Sequence, residues 1–381
     1  MAGSLVFSIA AAEVVLRLAG SDRTNYYVWP PGFHTTLHPS PRVMPGIEGD
    51  SSFSINDQGL RGDRLDRQPS GILALGGSTT ECLYLDDAET WPYLLQRRLN
   101  ATRGARGVWV GNAGRSGHTT HHHLLHAERL PNLAPVIDTM LVLTGANDFL
   151  QRLQLDRGYR PSVVDHLPLD EYRSATDRAF AVWPGFVSDD PLWKQLELVR
   201  RLRAIKKRYA EPPQQMVQDN KGDIYIKWRS NRRSASAFRT TLPDLSSALD
   251  AYVGNLRLII DQSKQRKLRL VLMTQPAIWR AGLSEEEQHS LWMGGIGAYQ
   301  GTPGREYYSP ETLAAGLQRY NEALLRTCAA TNVECLDLDR MLPKTSAVFY
   351  DDMHFTEAGA RAVADIVAEY FETTSRLVAR R

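Results

Sequence analysis

Ser78 follows Gly76-Gly77 and precedes Thr79-Thr80-Glu81, between an apolar run and a helix start. A serine there is exposed, and the amides of the following helix N-terminus lie beside it. The same Gly-Gly-Ser pattern also makes an ordinary turn or a phosphate loop, and it is not the G-x-S-x-G elbow of α/β-hydrolases. Near the other end of the chain, Asp351 stands three residues ahead of His354. That spacing lets a carboxylate meet the imidazole Nδ1–H within one tight loop; a solvated Asp–His pair is the competing reading. Between these segments lie Gly114, closing Gly111-Asn112-Ala113-Gly114, and Asn147, in Gly145-Ala146-Asn147-Asp148. A glycine lets a backbone N–H approach a ligand, or simply makes a turn. An asparagine amide can aim N–H donors at a developing oxyanion, or close its own turn. A serine hydroxyl becomes a nucleophile when a base removes its proton. His354 is the candidate base, and Asp351 would fix its tautomer and stabilise the imidazolium. The chemistry these residues allow is acyl transfer through an acyl-serine.

Such residues must be held at one edge of a rigid scaffold, and the surrounding pattern supplies it. Ile72–Leu75, Val108–Val110, Thr139–Leu143, Leu268–Thr274 and Val333–Leu338 read as short apolar strands. Helices alternate with them: one begins behind Thr90 with Pro92 in its first turn, another spans His118–Leu130, and others follow over Ser246–Lys264, after Ser309-Pro310 and after Thr356. Five strands alternating with helices predict an α/β fold, a three-layer α/β/α sandwich with a flavodoxin-like five-stranded parallel sheet. Ligands of such sheets sit beyond the carboxyl ends of the strands, which is where Ser78, Gly114 and Asn147 fall.

In this order, at successive strand ends and before the last helix, the four segments resemble the SGNH hydrolases, the GDSL-like esterase and lipase family. The resemblance covers Gly71–Asp148 and about Ser246–Phe371, with Ser78, Gly114, Asn147, His354 and Asp351 all in place. It implies that Ser78, Asp351 and His354 are catalytic and that Ser78 N–H, Gly114 N–H and the Asn147 side chain form the oxyanion hole. Members often carry aspartate before the nucleophile, where this chain has Gly77; this raises the question of how the nucleophile turn is braced. The expected activity is a serine esterase cleaving O-acyl esters, above all O-acetyl. An O-acetyltransferase with the same catalytic residues and a catalytically idle carbohydrate-binding or assembly module are the alternatives.

No cofactor is expected. Five of the ten histidines, His118, His121, His122, His123 and His126, lie within nine residues. His118, His122 and His126 would share a helical face, but no H-E-x-x-H motif is present, and a solvated or substrate-facing histidine stripe is preferred to a metal. Residues 150–242 interrupt the strand–helix rhythm as a large insertion. It holds a basic amphipathic helix over Pro191–Tyr209 and an aromatic and arginine-rich stretch over Lys221–Arg239 suited to an acidic or sugar ligand. Together with the Gln275–Tyr308 loop it is expected to shape the substrate site, with Thr79, His118, Gln275, Trp279 and Arg280 as substrate-binding candidates.

The chain thus divides into an apolar N-terminal segment (1–20), a proline-rich extension (21–70), the hydrolase domain (71–371) with its insertion, and a basic tail (372–381). Leu5–Ala19, broken by Ser8, Glu13 and Arg17, is short of the roughly 20 residues of a membrane span. It reads as the remnant of an anchor, an interfacial helix or a helix docked on the fold. The 381 residues carry a net charge of +2, 43% hydrophobic and 23% charged residues, which excludes disordered and collagen-like classes and speaks against nucleic acid as a partner. Three cysteines make no disulfide framework; a Cys328–Cys335 bridge is one reading and buried free thiols are the preferred one. Members of the family with an apolar N-terminal segment and a proline-rich lead-in are often bacterial envelope proteins acting on acylated glycans. The resemblance therefore implies a bacterial cell-envelope location, an acylated glycan substrate and membrane association through the N-terminal segment.

Overall fold

The five apolar runs pair into one parallel sheet in the computed structural model, which describes residues 2–18, 26–65, 70–103, 107–161, 163, 167–185, 191–199, 201–203 and 219–379. The strands are β1 (Ser70–Gly76), β2 (Val108–Gly114), β3 (Ile137–Thr144), β4 (Arg269–Thr274) and β5 (Glu334–Leu336), in the order β2-β1-β3-β4-β5. All pairings are parallel, and the central strands are buried nearly throughout, as continuous apolar runs covered on both faces require. The helices are α1 (Trp91–Arg103), α2 (Thr120–Arg129), α3 (Ala146–Leu155), α4 (Leu169–Ala179), α5 (Ile224–Arg233), α6 (Ser246–Gln265), α7 (Pro310–Thr331) and α8 (Glu357–Ala379). α8 packs on α1 across one face, and α6 lies between α2 and α7 on the other. The fold is the expected three-layer α/β/α sandwich.

Two boundaries differ with consequences. β2 runs on through Gly114, which pairs with Gly76 of β1, so the glycine expected in a loop belongs to the sheet ladder. The final helix continues to Ala379 through most of the expected tail.

The extension forms a hairpin, His34–Leu37 with Ser51–Ser54. It then pairs Arg61 with Asn112, N–H to carbonyl at 3.0 and 3.3 Å, on the outer edge of β2. Within the insertion, Leu192–Lys194 is a 3-10 turn and residues 197–199 and 201–203 are helical. The expected helix therefore starts later than Pro191, and its part beyond 203 lies outside the described residues.

The N-terminal helix spans Ala2–Leu18. The Glu13 carboxylate, which interrupts its apolar run, accepts from Glu197 N (2.9 Å) and Leu198 N (3.2 Å) and pairs with Arg17 at 2.6 Å. Glu13 thus caps the helical stretch in the insertion, the contact a docked helix makes. Among the described residues no helix is long and apolar enough to cross a membrane. Cys328 and Cys335 form a disulfide rather than two free thiols. The left-handed turn at Asn332 folds β5 back beside the end of α7 and brings the two together.

Candidate active site

At the carboxyl end of β1 the chain turns at Gly77 into the one-turn helix Ser78–Glu81. Ser78 Oγ lies 2.7 Å from His354 Nε2, and His354 Nδ1 lies 2.7 Å from Asp351 Oδ2. The loop that ends in the Thr356 cap of α8 supplies both partners, because the Thr356 hydroxyl accepts from Gly359 N at 3.0 Å and fixes where the helix begins. Asp351 is fully buried; its Oδ1 accepts from Met353 N (3.0 Å) and His354 N (2.9 Å), and its Oδ2 also accepts from Trp292 Nε1 (2.8 Å). Burial works against both charges. His354 and the surrounding N–H donors nevertheless hold the Asp351 carboxyl below its ordinary value. The Asp351 carboxylate in turn outweighs burial and lifts the His354 imidazole above its ordinary value.

Asn147 opens α3 and shares the cleft wall with Ser78 and His354. Its Nδ2 donates to the His118 carbonyl at 2.8 Å, which orients the amide. It passes so close to the Gly77-Ser78 turn that a Cβ on Gly77 would meet Nδ2 at 2.5 Å. A side chain at position 77 would therefore have to displace the Asn147 amide. The bracing comes instead from Arg61 of the extension, buried and donating to the carbonyls of Glu81 (2.7 Å), Cys82 (2.6 Å), Leu85 (2.5 Å) and Ser52 (3.0 Å).

Gly114 is not brought to the site. Its N–H is spent on Asn112 Oδ1 at 2.8 Å within the ladder. The turn that reaches the cleft comes three residues later, at Gly117, whose φ of 77° suits glycine and which lines the wall with Ser78 and Asn147. Among the described residues the N–H groups of Ser78 and Gly117 have no acceptor. A glycine just ahead of the α2 start, in Gly117-His118-Thr119, is the sequence signal for this residue, and it is legible only once β2 is known to run through Gly114.

The substrate-binding candidates also fall elsewhere. Thr79 donates to Gln275 Oε1 at 3.1 Å, and Gln275 is tied by both backbone groups to the Asn321 amide, so this pair packs behind Ser78. Trp279 is buried and donates to Asp352 Oδ1 at 2.7 Å. Arg280 forms a bidentate pair with Glu287, both contacts at 2.8 Å. His118 is buried, with Nε2 on the Arg178 carbonyl at 3.1 Å.

The cleft itself, about 420 Å³, is lined by the aromatic Tyr225, Trp228, Trp292 and Tyr299 and by the polar Ser116, Thr119, Gln151 and Gln154. The first set comes from the insertion and the Gln275–Tyr308 loop. The arginines among those aromatics turn away. Arg229 donates to the carbonyls of Ser290 (2.9 Å), Val43 (2.6 Å) and Tyr350 (3.1 Å), and Arg232 to those of Met293 (2.6 Å) and Tyr308 (2.9 Å). They are braces, not the anion or sugar ligands their composition suggested.

Four of the five histidines of the stripe, His118, His122, His123 and His126, are buried rather than solvated, and His121 is half-buried. Burial pushes His118 and His122 well below their ordinary values, His121 and His126 down to about 4 and His123 to about 3. A ring nitrogen from each of His118, His123 and His126 lies within 4.8 Å of those of the other two.

A family model described as the GDSL-like Lipase/Acylhydrolase family matches residues 74–362. Among solved structures, the acetylxylan esterase Axe2 from Geobacillus stearothermophilus aligns at 14% identity with a TM-score of 0.39, covering 79% of this chain and 94% of that one. A member of the lipolytic protein G-D-S-L family from Veillonella parvula DSM 2008 aligns at 13% identity and a TM-score of 0.40, over 80% of this chain and 98% of that one. No curated protein matches the sequence.

Proposed function

The chain belongs to the GDSL-like lipase/acylhydrolase family of ester-hydrolysing enzymes, and from that premise we propose that it is a serine esterase removing O-acetyl groups from a neutral glycan of the bacterial cell envelope. The observation that carries the serine mechanism is the unbroken chain from Ser78 Oγ through His354 to the buried Asp351, 2.7 Å at each step. His354 Nε2 takes the Ser78 proton as Oγ attacks the ester carbonyl. The oxyanion is met by Ser78 N–H, Gly117 N–H and Asn147 Nδ2, donors of the kind whose loss typically lowers kcat about 10²–10³-fold. His354 then protonates the departing sugar oxygen. Water, deprotonated by the same imidazole, cleaves the acyl-serine and releases acetate.

Flat aromatic rings and glutamine amides lining one cleft suit a sugar, apolar on its ring faces and rich in hydroxyls. No Asp, Glu, Lys or Arg lines the cleft among the described residues, which favours a neutral glycan over an acidic one. The envelope location rests on the Cys328–Cys335 bridge, which persists in oxidising compartments, and on the apolar start of the chain. The docked Ala2–Leu18 helix is the proposed point of membrane association.

Hydrolysis of p-nitrophenyl acetate by wild type and Ser78→Ala tests the mechanism: the variant should lose at least about 10³-fold in kcat, and equal rates would refute it. Acetylated xylo-oligosaccharide assayed with and without an unacetylated acceptor glycan separates hydrolysis from acyl transfer by its products. Cell fractionation with a tagged chain tests the location.

A further inference from the structure

Behind the cleft wall, the start of α2 gathers imidazoles that the serine chemistry does not use. His118 Nε2 lies 3.1 Å from the Arg178 carbonyl and His126 Nε2 lies 2.9 Å from the Ala179 carbonyl. A carbonyl accepts only, so both Nε2 atoms carry the proton and both Nδ1 atoms present bare lone pairs. Those two Nδ1 atoms are buried without a partner, and so are both ring nitrogens of His123. Buried polar atoms in folded proteins are rarely left unmatched, and one such nitrogen from each of three neighbouring rings points to a ligand they share. His122 presents no bare lone pair to such a ligand: its Nδ1 accepts from Thr119 N at 3.1 Å, which leaves the proton on its buried and likewise unpartnered Nε2, and its ring stacks on His118 at 4.6 Å. The Arg115 guanidinium also acts on His118 and His126, and it interacts with the Glu81 carboxyl, which burial lifts above its ordinary value.

We propose that His118, His123 and His126 form a three-imidazole site for a divalent transition metal of the zinc class. Imidazole nitrogen suits zinc, cobalt, nickel and copper and not calcium or magnesium. Carbonyls that fix the tautomer of a ligating histidine are the usual outer partners of such sites. Ligand nitrogens about a tetrahedral zinc lie roughly 3.4 Å apart, so the present spacing, within 4.8 Å, closes on the ion by small ring rotations. The metal would tie the start of α2 to the Arg115–Thr119 turn. That turn carries Gly117 and the His118 carbonyl on which Asn147 Nδ2 rests at 2.8 Å. The role is positional: the ion sits behind the cleft and no reaction step passes through it. The site stands whether or not Ser78 is the nucleophile.

Chelator-treated full-length protein should bind one equivalent of Co²⁺ with visible ligand-field bands. One equivalent of Zn²⁺ should displace it and raise the thermal midpoint by roughly 3–5 °C. His123→Asn and His126→Asn should each lose the bands and the shift, Ser78→Ala should keep both, and so should His289→Asn, a half-exposed histidine far along the chain. If the His123 and His126 variants fail to fold by circular dichroism, zinc-edge absorption of the loaded wild type decides, with three imidazole scatterers at about 2.0–2.1 Å expected. Binding retained in both folded variants, a stoichiometry well below one, or an all-oxygen zinc shell would overturn the site.

Discussion

His354 sits between two demands, since it must be neutral to take the Ser78 proton while Asp351 favours its charged form. Because the Asp351 carboxylate lifts the imidazole above its ordinary 6.5, the acid limb of the kcat/KM profile should have its midpoint above 6.5. Asp351→Asn removes that charge, so the midpoint should move down while kcat falls about 10³–10⁴-fold through loss of the correct tautomer. A pH–rate series on both proteins checks this, and an unmoved limb would separate the titration from His354. Gly77 gives a second test at this scale. Its added methyl would meet Asn147 Nδ2 at 2.5 Å, so Gly77→Ala should displace the amide and lower kcat about 10²-fold with KM little changed. The Ser78, Asp351 and His354 positions were legible in the sequence because each is announced locally, by Gly-Gly-Ser at a strand end and by Asp-x-x-His before a cap. Gly117 and Trp292 were not. The former needed the strand end to within three residues, and the latter meets Asp351 Oδ2 across 59 positions of chain, which no local pattern encodes.

Helix starts, more than strands, decide where the cleft donors point. α2 begins under the Asp148 carboxylate of α3, which accepts from Thr120 N at 3.1 Å and from the Thr120 hydroxyl. This ties the element bearing Asn147 to the one following Gly117. Burial raises the Asp148 carboxyl from 3.8 to about 6 against the pull of these hydrogen bonds. Between those values the folded chain binds more protons than the unfolded one, so this group's contribution to stability falls as pH rises from 3.8 through 6. Asp148→Asn keeps an acceptor for Thr120 and removes the titration. Its urea midpoint relative to wild type should therefore rise from pH 4 to pH 7, and a constant difference would show that Asp148 does not titrate there. Strand and helix identities were readable from apolar runs and caps such as Ser309, whose hydroxyl accepts from Thr312 N at 3.3 Å as the Ser309-Pro310 start predicted. Loop side chains were not readable. Gln275, Trp279 and Arg280 follow a strand end and so looked substrate-facing, yet each finds a buried or charged partner inside the protein.

Taken whole, the molecule surrounds a familiar sheet with two segments that have no strand–helix rhythm of their own, and both reach the catalytic loops through buried arginines. An arginine in a basic stretch reads as solvated or ligand-binding because composition cannot show how many carbonyls await it. Arg61 carries the extension to the nucleophile turn with four carbonyl contacts. Arg229 carries the insertion to Ser290, Val43 and Tyr350, the last preceding Asp351. A methionine fills similar space and donates nothing, so Arg229→Met leaves three carbonyls to find other partners, at about 1–3 kcal/mol for each one left buried and unmatched. Its loss should therefore act in two places at once. The thermal midpoint should fall, and the Asp351–His354 loop should loosen so that kcat drops about tenfold or more in protein that is still folded at the assay temperature. Arg233→Met, one turn along the same helix and outside this network, should change neither. Equal kcat for Arg229→Met and wild type below the melting transition would confine the brace to stability, and the insertion would then act on the cleft through the side chains that line it, such as Tyr225 and Trp228.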